Sequence, residues 1–375
     1  MNAKWNETGA RAAWERIRGK ADMMLAAMGD RSPHVAGEDG IYDDARIDWW
    51  TSGFWPGILW LVYDMTGDAR YKDAAWSRDE RLERLFLQPN RFSHDVGFQF
   101  LPTAVFKYLL TGDEDAKRRA LFAANFLAGR YNPRGRFIRA WNGDRIGWAI
   151  ADTAMNLSLL FWAAKESGDP RFAHIATAHA DTVVREFIRE DGSVHHIVRF
   201  DPDTGARAEA IGGQGASPDS AWSRGAAWVI YGMANAYRHT GDAAYLLAAR
   251  RAANFFLAHL PEDDVPHWDF RSGEDPDGEP PRDSSACAIA ASGLLELADL
   301  LPADEGTDYR AAAERMLSSL DEHYATWHLA DHEAILLHGT GNKPAGQNVD
   351  VSLIYGDYFF VEAVAKLNGW NRRIF

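Results

Sequence analysis

Ser167-Gly168-Asp169-Pro170-Arg171-Phe172 is the stretch whose grammar decides the fold. A glycine ends one helical pattern in the left-handed conformation that it adopts without strain, and the aspartate that follows caps the next helix. The same grammar recurs at Thr66-Gly67-Asp68-Ala69-Arg70-Tyr71, Thr111-Gly112-Asp113-Glu114 and Thr240-Gly241-Asp242-Ala243-Ala244-Tyr245. Leu301-Pro302-Ala303-Asp304-Glu305-Gly306 is a looser fifth copy. Glycine-to-glycine spacings of 45, 56 and 73 residues are those of helical hairpins with loops of variable length.

Helix-period runs between these turns predict twelve helices, near 5–28, 54–65, 69–86, 96–110, 114–129, 152–166, 170–188, 219–239, 242–260, 284–300, 307–323 and 355–367. Twelve helices in six hairpins predict an all-α toroid, the (α/α)6 barrel. The second helix and every alternate one after it is the more apolar, as in Phe54-Trp55-Pro56-Gly57-Ile58-Leu59-Trp60-Leu61, and belongs to the inner ring. Val194 to Phe200, followed by Asp201-Pro202-Asp203-Thr204-Gly205, reads as a short β-hairpin in a loop. The 46% hydrophobic content is spread evenly over 375 residues, so the expectation is one catalytic domain, 1–375.

Charge narrows the function. With 54 acidic against 40 basic residues and no Lys/Arg stripe, nucleic acid is excluded as a partner. The 15 Trp, 12 Tyr and 19 Phe suit sugar rings, since Trp pairs a flat apolar face with one donor. Cys287, the only cysteine, excludes an intramolecular disulfide and reads as a buried spacer in a small-residue run. The start Met1 to Glu7 has no apolar core for a signal peptide and no segment approaches a membrane span, so the expectation is a cytoplasmic protein without a membrane partner. Oligomeric state is not legible.

The polar and aromatic motifs fall just before, or in the first turns of, the inner helices, where a toroid gathers them around one mouth. Gly147 to Asn156 sets Asp152 at the head of an apolar helical run, and Ser93-His94-Asp95-Val96-Gly97-Phe98 repeats the design with Asp95. A charge there is costly unless chemistry needs it. A general acid must hold its proton near neutral pH, so an Asp that titrates near 3.9 when free must be raised by roughly 2–3 pH units, or about 3–4 kcal/mol. A helix N-terminus pulls the other way by roughly 0.3–1 kcal/mol, so burial and a second carboxylate must outweigh it. The bland alternative is a pair of helix caps.

Arg224 and Trp228, four apart on one helix, offer a charged fork and a flat ring to a carboxylated sugar; a cation–π pair internal to the helix is the alternative. Gln214 stands on the glycine loop Gly212 to Gly215 and reads equally as a turn residue. His195-His196 adjoins no Cys and no HExxH pattern, so no metal is expected. Gly339-Thr340-Gly341-Asn342-Lys343 lacks the spacing of a phosphate loop and reads as a loop at the mouth.

Trp50-Thr51-Ser52-Gly53-Phe54-Trp55, His94 to Phe98, Asp152 to Leu157, Trp222 to Trp228, Arg282-Asp283-Ser284-Ser285-Ala286 and Gly356-Asp357-Tyr358 together resemble the unsaturated glucuronyl hydrolases of glycoside hydrolase family 88. The match runs in order from about residue 47 to 365. The resemblance implies an (α/α)6 barrel without a cofactor, acting on unsaturated uronyl oligosaccharides. It implies that Asp152 and Asp95 are catalytic, and that Trp50 (rather than Trp49), His94, Trp141, His196, Gln214, Arg224 and Trp228 hold the uronate. The rival within this chemistry is an unsaturated rhamnogalacturonyl hydrolase acting on pectin fragments. The rival outside it is a non-catalytic glycan-binding toroid.

Overall fold

The computed structural model describes residue 5 and residues 7–273 and 278–375. Four turns hold the architecture in register. Gly67, Gly112, Gly168 and Gly241 all take the left-handed conformation, at φ between 71° and 73°. Asp68, Asp113, Asp169 and Asp242 each accept a backbone N–H of the helix that follows. Each such cap is worth about 1 kcal/mol and sets where a hairpin reverses. The fifth copy differs: Pro302 precedes the helix, and Gly306 lies inside helix Ala303–Ser319. A methyl group at Gly306 would stand 2.5 Å from the carbonyl of Ala298, so this glycine serves the packing of two helices and not the turn.

The fourteen α-helices among the described residues group into twelve runs, because 69–87 and 96–111 are each interrupted once and count as one. The predicted start of the first run, at residue 5, precedes helix Glu7–Met28, and residues 1–4 and 6 lie outside the described residues. Helices Phe54–Thr66, Thr153–Ser167, Ser223–Thr240, Ser284–Leu300 and Ile354–Leu367, with run 96–111, form the inner ring. Each is buried on every side for most of its length, as from Ser223 to Ala236. Each packs on the next, and Ile354–Leu367 returns to Phe54–Thr66, so the ring closes. The other six runs bury one face against it.

Glycines set the bore of this ring. An added methyl group would meet the neighbouring inner helix at Gly53 (Phe98 carbonyl), Gly97 (Asn156), Gly232 (Ala154), Gly293 (Tyr231), Gly356 (Ser285) and Gly57 (Tyr358), each at 3.1 Å or less. All six inner interfaces thus close on a residue with no side chain. Interiors are packed too densely for the neighbouring backbone to give way.

The hairpin expected near 194–205 exists as strands Ile197–Phe200 and Arg207–Ile211. A third strand, Trp148–Ile150, joins it antiparallel, with Ile150 opposite Ile197. Two further two-stranded pairs join Val35–Ala36 to Ser352–Leu353 and Tyr131–Asn132 to Phe137–Ile138. No helix among the described residues is long and apolar enough to cross a membrane. Cys287 is a free, buried thiol.

Candidate active site

Asp152 stands two residues past strand Trp148–Ile150 and immediately before helix Thr153–Ser167, and its side chain caps nothing. Asp95 stands likewise before run 96–111, with no cap bond. Two cross-links bind the heads of these neighbouring helices together. Thr153 Oγ1 lies 2.9 Å from His94 Nδ1, and Asn156 Oδ1 accepts the Phe98 N–H at 2.8 Å. Two acids 57 residues apart in sequence are thereby brought to one cavity, of about 200 Å³.

Both acids hold protons far above the ordinary carboxylate range. Burial pushes Asp152 up to about 7, the charge of Asp95 adds to it, and Arg224 opposes it. Burial pushes Asp95 up to about 6, against the Ser93 hydroxyl that donates to its Oδ2 at 2.7 Å. Desolvation has outweighed the helix ends, as a general acid requires. The capping alternative fails for both.

Two neutral histidines attend the pair. Burial drives His94 and His196 down to about 3. The backbone N–H of Gln214 donates to His196 Nδ1 at 2.9 Å, so the ring proton sits on Nε2, which faces Asp152 Oδ2 at 3.8 Å. The Gly212 carbonyl, 3.2 Å from the same Nδ1, is then a close contact and not a second bond. The sheet explains this placement: Ile150 pairs with Ile197, and the Ala151 N–H bonds the His196 carbonyl, so His196 lies beside Asp152. His94 Nε2 is 3.2 Å from Asp95 Oδ1.

Of the residues expected at the site, Trp50, Asp95, Trp141, Asp152, Gln214 and Arg224 line the cavity. His94 and His196 stand behind it, touching the acids. Trp228 does not line it: one turn deeper along its helix, its ring is buried against Phe98 and Phe359. Sharing a helix face with Arg224 was not enough, because four residues carry Trp228 about 6 Å further from the mouth. Its indole N–H still favours the charged form of Asp152 without completing a hydrogen bond of good geometry.

Arg224 is not a free fork either. It pairs with Asp283, donates to the carbonyls of Thr340 and Gly341 at 2.6 Å each and to Gln214 Oε1 at 2.7 Å, and lies over the rings of Trp222 and Tyr355. It therefore presents a fixed positive charge to the cavity and ties the mouth loop to the glycine loop. Gln214 is accordingly more than a turn residue.

Trp49 also lines the cavity and is 41% exposed, which puts it at the rim, while Trp50 packs against Tyr355 and Phe98 further in. His34, Ile150 and Tyr355, to which no role was assigned from sequence, complete the wall together with Gly341, Asn342, Gln347 and Asn348 of the mouth loop. The loop read from Gly339 to Lys343 held the signal for Asn342, whereas His34 lies in an extended segment with no local pattern. No group of three or more His, Cys, Asp or Glu among the described residues is arranged to hold a metal. Four larger clefts, of about 600, 590, 410 and 280 Å³, contain none of the expected residues.

A closed helical toroid whose mouth sets two buried carboxyls among aromatic rings has the form of a glycosidase. The chain belongs to Glycosyl Hydrolase Family 88, whose profile matches residues 21–347. It is 38% identical over 356 residues to the unsaturated glucuronyl hydrolase of Bacillus sp. (strain GL1), covering 92% of each chain. It is 35% identical over 368 residues to the unsaturated chondroitin disaccharide hydrolase of Streptococcus pneumoniae (strain ATCC BAA-255 / R6), covering 96% of this chain and 92% of the relative. The crystal structure of the Bacillus sp. GL1 unsaturated glucuronyl hydrolase, described as responsible for the degradation of glycosaminoglycan, superposes with a TM-score of 0.90 at 36% identity over 94% of this chain and 96% of that one.

Proposed function

We propose that the chain, acting as one catalytic domain, releases 4,5-unsaturated glucuronic acid from the non-reducing end of lyase-generated oligosaccharides of glycosaminoglycans or related acidic polysaccharides. The observation that carries this is Asp152, a carboxyl held near pH 7 at the wall of a sugar-sized cavity. The names of the relatives supply the substrate class, and the acid pair supports a reaction that starts by protonating an alkene.

Protonated Asp152 gives its proton to C4 of the C4=C5 bond, and the positive charge appears at C5, shared with the ring oxygen. Asp152, now a carboxylate, takes a proton from the water that adds at C5 and so regains its starting state. The C5 hemiketal opens to a ketone as the bond from C5 to the ring oxygen breaks. The hemiacetal left at C1 then collapses, releasing the remaining sugar and a 4-deoxy-5-keto uronic acid. One water is consumed. Carboxylate-spacing rules for retaining and inverting enzymes do not govern this route, because the anomeric carbon is never attacked.

Asp95 keeps Asp152 protonated by its charge and faces the ring hydroxyls. Arg224 supplies the fixed charge for the uronate carboxylate, and Trp50 and Trp141 supply the flat walls. The test is the near-ultraviolet absorbance of the conjugated alkene, followed on a chondroitin-derived and a pectin-derived unsaturated disaccharide. Loss of absorbance with the first supports the reading; activity on the pectin fragment alone overturns it.

A further inference from the structure

The groove of about 590 Å³ between residues 86–92 and 129–146 lies beside the catalytic mouth. Trp141 lines the cavity and Asn142 lines the groove; Arg91 in the groove pairs with Asp48, whose neighbour Trp49 lines the cavity. In a chain of net charge −14, this groove has three arginines and no Asp or Glu among its described lining residues.

Arg91 is neutralised by Asp48 at 3.1 Å. Arg130 and Arg139 have no such partner among the described residues. Arg130 donates to the carbonyls of Arg139 and Ala140 and to Asn142 Oδ1, each at 2.9 Å. Arg139 donates to the Gly143 carbonyl at 2.7 Å and keeps a buried Nε with nothing to bond. Burial and the adjacent Arg139 charge together pull Arg130 down to about 10, against the charge of Asp95. Arg139 thus sets a like charge beside Arg130 with no carboxylate of its own, a cost that an anion in the groove removes. Below them, Phe86 and Phe126 pack at 5.5 Å between centroids, an apolar floor for a sugar face, and the Gln88 amide at the rim can bond hydroxyls.

We propose that this groove is an outer subsite that holds a uronate carboxylate of an acidic oligosaccharide beyond the bond being cut, with Arg139 as its anion-binding residue. The inference rests on the functional reading above. It makes the enzyme sensitive to substrate length: a disaccharide ends inside the cavity, whereas a tetrasaccharide carries a second uronate that reaches the groove.

The experiment compares KM for an unsaturated disaccharide and for an unsulfated unsaturated tetrasaccharide whose third residue is a uronate. Loss of a charged hydrogen bond at a partly exposed site predicts that Arg139→Ala raises KM for the tetrasaccharide about fivefold to tenfold and leaves the disaccharide unchanged. Arg139→Lys should recover part of the loss. Gln88→Glu keeps an acceptor for Arg91 Nε, adds negative charge to the groove and should also raise only the tetrasaccharide KM. Equal effects on both substrates, or no effect of either Arg139→Ala or Gln88→Glu on the tetrasaccharide, overturn the subsite. A parent enzyme inactive on both substrates overturns the functional reading itself, and this inference with it.

Discussion

Replacing Asp152 by Asn should stabilise the fold while abolishing turnover, and the stabilisation should grow with pH. The carboxyl is raised from 3.8 to about 7, chiefly by burial and next by the Asp95 charge. A group whose folded pKa lies above its unfolded value binds more protons in the folded state. Stability therefore falls as pH rises from 3.8 to about 7, and the whole cost is present above that window. At roughly 1.36 kcal/mol per pH unit the cost is about 4 kcal/mol at pH 8, and under about 2 kcal/mol at pH 5. Asn is neutral throughout and escapes it. With an unfolding entropy of roughly 2.1 cal/mol/K per residue over 375 residues, the gain at pH 8 corresponds to a Tm rise of about 5 °C. Thermal melts of parent and variant at pH 5 and pH 8 measure both values. An advantage that is the same at the two pH values, or a variant less stable than the parent at pH 8, refutes the reasoning.

Asp95→Asn removes the charge that helps raise Asp152, so the basic limb of the rate–pH profile should move to lower pH; an unmoved limb separates the two acids. Arg224→Ala leaves the buried Asp283 carboxylate without its guanidinium and should cost about 3–5 kcal/mol in denaturant unfolding, besides raising KM; a loss under about 1 kcal/mol contradicts the buried pair. Gly97→Ala places a methyl group 2.3 Å from Asn156 Oδ1 at the joint between the two acid-bearing helices. It should cost about 1–3 kcal/mol and depress turnover with it, and a variant of parental stability and rate shows that the joint is loose.

How much was legible in the sequence follows from the range of each interaction. The turn grammar is local, so four of five turns and all twelve helical runs could be read from residues a few positions apart. Gly306 misled because a glycine near a helix start looks the same whether it makes a turn or a close contact, and only the Ala298 carbonyl distinguishes them. Asp152 and Asp95 were legible because a carboxyl at the head of an apolar helix violates the local rule for charges. Strand Trp148–Ile150 was not, since three residues carry no periodicity, and with it went the reason why His196 faces Asp152. Trp228 shows the limit of helical spacing: it fixes a shared face and says nothing of depth. The tie from Arg224 to Asp283, Thr340 and Gly341 joins segments 59 to 117 residues away, a range at which one chain has no pattern to read.

The central claim is that Asp152 holds its proton near neutral pH because it is buried beside Asp95. Carbon-13 NMR of the aspartate carboxyls, with Asp152→Asn and Asp95→Asn for assignment, tests it directly. The account predicts a resonance titrating near pH 7 that is lost in Asp152→Asn and moves to lower pH in Asp95→Asn. An Asp152 carboxyl that titrates near 4, with or without Asp95, contradicts it.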